Sequence, residues 1–267
     1  MPDRLGVWLN ALDQYEFKLR VTAGRARNAA IIHAAQAYQY TGTLPGYIAE
    51  GHRRRLKQIL TDHYERVTPH FAAQALASIR SKPVGREAAG LVATAIETKT
   101  AVTFAQLKAI GFAGRMQEWI GREALRKATL IAATDLEDVR GAISDGVSQG
   151  QGTAEIARNI RQVSRLTPFR AATVARTETH AAATFGSIET VRDAERDLGV
   201  RMLKAWLPTL DDRTRPDHRA MTNHPPIPLD ETFSVGGERM DRPGDPSASP
   251  ANLINCRCAI SFEEATT

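Results

Sequence analysis

Large apolar residues recur at intervals of three and four through the first two hundred or so positions, the spacing of helices that each bury one face. Pro45-Gly46 interrupts the first segments. Pro69 and Pro83-Val84-Gly85 predict later breaks, because proline lacks a hydrogen-bond donor and clashes with the preceding turn. From Arg86 to about Ile143 the chain is alanine-rich, and Phe104, Leu107, Phe112, Met116, Ile120 and Leu130 read as core positions at helical spacing. Asp145 to Gly152 reads as a glycine-rich loop. A helix follows near Thr153, whose hydroxyl can cap the first turn. Thr167-Pro168 predicts the N-cap and first position of a long helix, ended by Gly199 after Asp197 or Leu198.

On that long helix Val174, Ala181, Phe185 and Ile188 form one apolar stripe, and Glu178 stands within it. A carboxylate on an apolar face destabilises the fold unless it finds a partner. Arg176 and His180 are candidates on the same helix, and groups from other segments serve equally well. The reading taken is a buried pair that fixes helix packing; a general base is the alternative.

After Gly199 the period changes to two. Met202–Leu207 and Ile254–Phe262 read as strands; in the second, Ile254, Cys256, Cys258, Ile260 and Phe262 point one way and Asn255, Arg257 and Ser261 the other. The connection between them carries Pro225, Pro226, Pro228, Pro243, Pro246 and Pro250, and a connection of this length is expected to be anchored. The expected fold is α+β and mainly α: a helical N-terminal part, 1–140, then a small α+β domain, 141–267, with one long helix and a few strands.

Composition changes this picture little. Of 267 residues, 42% are hydrophobic and 24% charged, a globular balance, and aromatics are only 6%, which favours close helix packing through small side chains. The two cysteines, one residue apart, make no disulfide framework, and reduced thiols are expected. The N-terminus lacks the order of a signal peptide and no apolar run approaches a membrane span, so neither secretion nor membrane insertion is expected.

The formal charge of +5 is compatible with a polyanionic partner. His52-Arg53-Arg54-Arg55-Leu56-Lys57 is the densest basic run, and Arg122, Arg126 and Lys127 form a second group. Arg53 and Lys57 share a helix face, as do Arg122 and Arg126. With no aromatics interleaved, DNA binding there would be sequence-independent and salt-sensitive; a solvated helix face is the competing reading.

The informative residues lie in the last third: Ala175-Arg176-Thr177-Glu178-Thr179; Trp206; Asp211-Asp212-Arg213-Thr214-Arg215-Pro216-Asp217-His218; Pro243-Gly244-Asp245-Pro246; and Asn255-Cys256-Arg257-Cys258. In this order and spacing they resemble the phage Mu F-like minor head proteins, related to the SPP1-type head-morphogenesis proteins, over roughly residues 140 to 262. The resemblance implies a non-enzymatic virion component, made in the host cytoplasm and present in few copies inside the phage head. It implies the portal protein and a major capsid or scaffolding protein as partners, with self-association open, and a part in head assembly and in DNA packaging or ejection. Some relatives carry a toxin after this domain; here the motif ends five residues before Thr267, and no appended toxin is expected.

Two further readings use the same residues. Cys256, Cys258, His218 and His224 supply the two sulfurs and two nitrogens of a structural zinc site, although the spacing is unusual; small apolar side chains facing a core are the plainer alternative, with no cofactor. Asp211, Asp212, His218, Glu178 and a cysteine are types a metal-dependent nuclease or other hydrolase uses, but there is no zinc-protease His-Glu pair, nucleophile elbow or Walker sequence. The favoured expectation is a polar network of Arg176, Glu178, Trp206, Asp211, Asp212, Arg213, His218 and Arg257, clamping the proline-rich connection against the long helix.

Overall fold

The computed structural model describes residues 4–78 and 113–265. Five helices hold most of them: α1 (Arg4–Thr41), α2 (Gly46–Ser78), α3 (Ala113–Ser148), α4 (Thr153–Gln162) and α5 (Thr167–Leu198), with a 3-10 turn over Val163–Leu166. After α5 come β1 (Met202–Leu207), the one-turn helix α6 (Pro216–Arg219), β2 (Ile227–Pro228), β3 (Phe233–Val235), β4 (Glu238–Met240), the one-turn helix α7 (Pro250–Leu253) and β5 (Ala259–Glu264). The fold is mainly α with a small antiparallel β part, as the change of period at Gly199 predicts.

Contacts divide the chain into two compact units. One gathers Met1–Tyr15, Tyr64–Glu118 and Arg176–Thr267, the other Glu16–His63 and Trp119–Ala175. The second unit, whose regular elements are helices among the described residues, packs Ile31, Ala34, Ala35 and Tyr38 of α1 with Ile48 of α2, Leu136 and Val139 of α3, and Ile156 and Ile160 of α4. Among its described residues Arg27 is the most deeply buried charged side chain. It donates to Asp135 at 3.0 Å, to Asp138 at 2.6 Å and to the Thr167 hydroxyl at 2.7 Å, while His52 meets the other Asp135 oxygen at 2.8 Å.

The first unit carries the strands. β1 lies between β2 and β5, both antiparallel to it, with Trp206 opposite Ile260 and Lys204 opposite Phe262. Met202, Lys204 and Trp206 are the buried face of β1. Ile188 and Val191 of α5 pack with Met202, Leu229, Ile260 and Phe262 beneath the sheet. β3 and β4 form a separate hairpin whose two-residue turn is Gly236-Gly237, with φ of 57° and 80°. Both glycines sit where a type I′ turn requires positive φ. Helix α5 approaches α2 closely: a Cβ on Gly186 would lie 2.4 Å from the Thr68 carbonyl oxygen, so only glycine fits.

Several local expectations need correction. Pro69 lies inside α2 and does not end it; Glu65, whose carbonyl would have received the missing hydrogen bond, is an exposed residue. Helix α3 runs through Asp145 and Gly146, so the glycine-rich loop is shorter than expected. Gly152, not Thr153, is the N-cap of α4, without a side-chain cap. Thr167 is already helical, and its hydroxyl is engaged by Arg27 and Asn28 rather than by the first turn of α5. Leu130 is exposed, whereas Met116 and Ile120 are buried; Pro83-Val84-Gly85, Phe104, Leu107 and Phe112 lie outside the described residues. The last strand begins at Ala259. Asn255, at φ 59°, turns the chain instead of extending it, and Ile254 is exposed. Gly199, at φ 63°, does end α5.

Candidate functional site

The middle of α5 presents three consecutive polar side chains, Arg176, Thr177 and Glu178, to other parts of the first unit. Arg176 donates to the Asn255 side-chain oxygen at 3.1 Å, and the Thr177 hydroxyl accepts the Asn255 backbone N–H at 3.2 Å. Glu178 is buried and accepts the Tyr64 hydroxyl at 2.6 Å. The carboxylate in the apolar stripe thus meets a donor from α2, 114 residues away in sequence. Tyr64 is fully buried, so this hydrogen bond is one of the groups that keep Glu178 compensated.

His180, two residues further along the helix, pairs through Nε2 with the Cys258 carbonyl at 2.6 Å. Burial pushes its pKa below 6.5, so the ring is neutral and Nε2 is the donor. Trp8 packs edge-on against one side of it, at 5.5 Å. On another side is Gly244, at φ 74°, where an added Cβ would stand 2.4 Å from His180 Nδ1. The glycine of the Pro-Gly-Asp-Pro turn is therefore required twice, by backbone angle and by contact. Asp245 of the same turn is buried and accepts from the Asp241 and Ser247 backbone N–H groups at 2.7 and 2.9 Å.

The loop after β1 is held to the Asn-Cys-Arg-Cys segment by Arg257, whose guanidinium donates to both Asp211 oxygens at 2.7 and 2.6 Å. These bonds hold the Asp211 carboxyl well below the usual carboxylate range. Thr209 adds a bond to the Arg257 carbonyl at 2.7 Å, and Arg215 donates to the Ile254 carbonyl. Asp212 and Arg213 are exposed; Arg213 lies 3.6 Å from Asp211. Trp206 is buried and stacks edge-on with His218 and with Phe233.

His218 on α6 is buried and places Nδ1 3.7 Å from the Cys256 sulfur and 3.3 Å from the Cys258 sulfur. Both cysteines are buried free thiols. Hydrogen bonding between the two sulfurs lowers the Cys258 pKa, helped by His218 and Trp206, and raises that of Cys256. His224 is not part of this cluster: its Nδ1 meets the Pro225 carbonyl at 2.8 Å and its ring packs on Phe233.

Sequence reasoning missed a second polar centre in the same unit. Lys204 is fully buried on β1 and donates to the carbonyls of Leu229 and Asp241 at 3.0 and 2.9 Å and to the Asp241 carboxylate at 2.6 Å. Arg192 of α5 donates to the same carboxylate at 2.8 Å. These cations hold the Asp241 pKa down against the opposing effect of burial. The signal was present, since alternation puts Lys204 on the face of Met202 and Trp206.

The basic runs lie in the other unit. Arg53 is paired with Glu50 through 3.1 and 2.8 Å bonds, and Arg54 lies 3.8 Å from the same carboxylate. Arg55 and Lys57 are exposed. Arg122 is exposed, and Arg126 is bound to Glu123 at 2.9 Å. Glu50 and Glu123 thus offset part of the charge offered to a polyanion. Among the described residues, no helix is long and apolar enough to cross a membrane.

Residues 137–261, from the last turns of α3 into β5, match the family described as Phage Mu protein F like protein. Over those residues the chain is similar to that family. The chain is also 30% identical over 128 residues to the minor head protein GP7 of Bacillus phage SPP1, covering 48% of this chain and 40% of that protein. It is 31% identical over 124 residues to the NAD(+)--arginine ADP-ribosyltransferase EFV of Enterococcus faecalis (strain ATCC 700802 / V583), covering 46% of this chain and 24% of that protein. The chain thus spans well under half the length of either relative. No solved structure matches it. Within the Mu F-like segment, the helix, turn and cysteine motifs are the residues just described around Glu178, His180, Gly244 and His218.

Proposed function

We propose that the protein is a minor head protein of a tailed bacteriophage, a structural component of the virion, and that the Mu F-like segment is the part that builds it into the head. What supports this most is the Mu F-like match together with the identity to a protein named as a minor head protein. The geometry of the segment agrees with a scaffold. Many of its polar groups are spent on one another and on backbone carbonyls: Arg257 on Asp211, Tyr64 on Glu178, His180 on the Cys258 carbonyl, Lys204 on Asp241. Such networks hold loops in one arrangement where the apolar core is small.

The finer reading places the chain with the portal protein and the head interior, bound to a major capsid or scaffolding protein and acting in DNA packaging or ejection. Contact with DNA would run through Arg53, Arg54, Arg55, Lys57, Arg122 and Arg126, all but Arg53 of which are exposed, and would weaken steeply with salt. We further propose that the chain shares a module with the E. faecalis protein and not the transferase activity named for the whole of it.

Purified heads test this directly. Mass spectrometry of washed particles is expected to find the chain at a fixed stoichiometry, and electron microscopy of labelled particles to place it beside the portal vertex. Particles that mature normally without it would overturn the reading. Incorporation of ADP-ribose from NAD into an arginine-bearing acceptor by the purified chain would overturn the non-enzymatic part.

A further inference from the structure

We propose that His218, Cys256 and Cys258 form a zinc site, with Nδ1 and two thiolate sulfurs as three ligands of one divalent ion. The three donor atoms lie within 4.8 Å of one another, and all three residues are buried. Tetrahedral zinc with the usual Zn–S and Zn–N bond lengths sets its sulfur and nitrogen ligands about 3.6 Å apart. The two sulfurs stand 3.7 and 3.3 Å from Nδ1, on either side of that value.

A plain thiol–imidazole hydrogen bond explains less. Nδ1 can accept from only one sulfur at a time, yet both converge on it. The other ring nitrogen, Nε2, is buried without a hydrogen-bond partner, so the imidazole leaves water with little return unless Nδ1 makes a stronger bond. Charge also balances: two thiolates and a divalent cation sum to zero, which suits the surrounding cluster of Trp206, Met221, Phe233, Val235 and Met240. Soft sulfur with imidazole selects zinc over magnesium or calcium.

The local chain is shaped for this. Asn255 at positive φ turns the backbone so that Cys256 and Cys258 follow in a short unpaired stretch with both sulfurs on the His218 side, and α6 presents His218 from the loop after β1. The ion would tie that loop to the start of β5, next to the Asp211–Arg257 pair. Among the described residues no fourth His, Cys, Asp or Glu joins the three, which leaves one coordination position to a ligand outside this set.

The test uses the full chain. Purified from zinc-supplemented cells, it is expected to carry about one zinc per chain by elemental analysis. Cobalt exchanged for zinc should show thiolate-to-metal charge-transfer bands and intense tetrahedral ligand-field bands. Cys258→Ala should lose the metal and the bands, while His224→Ala should keep both. Because Cys258→Ala can fail to fold, the unaltered protein decides. If the folded chain binds neither zinc nor cobalt, and a thiol reagent modifies both cysteines at the same rate with and without zinc, the site is only a hydrogen-bonded thiol pair and the proposal is wrong. Retention of zinc by soluble, folded Cys258→Ala would equally overturn it.

Discussion

The two units solve the same problem, a buried charge, by different means. In the helical unit one guanidinium serves several helices: Arg27 of α1 binds Asp135 and Asp138 of α3, with His52 of α2 on the far side of Asp135. Regular helices carry these groups, and apolar side chains such as Ile31, Leu136 and Ile160 complete the core. The strand-bearing unit has short strands and a long proline-rich connection, and distributes its polar bonds among many loops. Glu178, His180, Asp211, Lys204 and Asp245 each fix a different segment. A concentrated knot is sensitive at one residue, whereas a distributed clamp depends on backbone geometry at its turns.

The largest effect is expected at the knot. Arg27→Ala leaves Asp135 and Asp138 short of their main donor, and breaking a buried pair of this kind costs about 3–5 kcal/mol. The urea midpoint should fall accordingly, and amide exchange should rise first in Glu16–His63 and Trp119–Ala175. Exchange rising equally in both units would remove the contrast. Gly244→Ala comes next, combining an unfavourable φ with a Cβ against His180; about 3 kcal/mol is expected from strain and overpacking together. Its exchange increase should centre on the strand-bearing unit.

Tyr64→Phe takes one donor from a buried carboxylate without creating a large cavity. The expected loss is about 1.5–3 kcal/mol by chemical denaturation, the range for hydrogen bonds to charged groups. The pH dependence should be gentler. Burial keeps the His70 and His180 pKa values below 6.5 in the folded chain, so below pH 6.5 the unfolded chain binds protons that the folded chain does not. Stability is then complete above pH 6.5 and declines as pH falls below it; a melting temperature constant from pH 7 to 5 would contradict this. Asp211→Asn should shift melting least, since the Arg257 pair is partly exposed and screened by solvent.

Much of this was legible in the sequence, for identifiable reasons. β1 followed from alternation, the start of α5 from Thr167-Pro168, and its end from Gly199 after the last helical turn. That Glu178 needed a partner was readable from the stripe it interrupts. That the partner is Tyr64 was not, because a contact across 114 residues leaves no local pattern. Cys256 and Cys258 do point the same way, although they precede the paired strand instead of lying in it. The threonine caps failed where tertiary bonds claimed the hydroxyl of Thr167 and a glycine took the cap position before Thr153. The Gly236-Gly237 hairpin and buried Lys204 had signals, two glycines between short apolar runs and a charge on a buried strand face, that were open to reading.

Of these groups, Glu178 joins the long helix of the Mu F-like segment to the rest of its unit, and the proposed head role depends on that segment holding its shape. The most direct measurement is the amount of Glu178→Ala protein found in purified phage heads, normalised to the unaltered chain, alongside the melting temperature of the same variant. Both are expected to fall together. Normal melting with normal incorporation would contradict the claim that this clamp builds the protein into the particle.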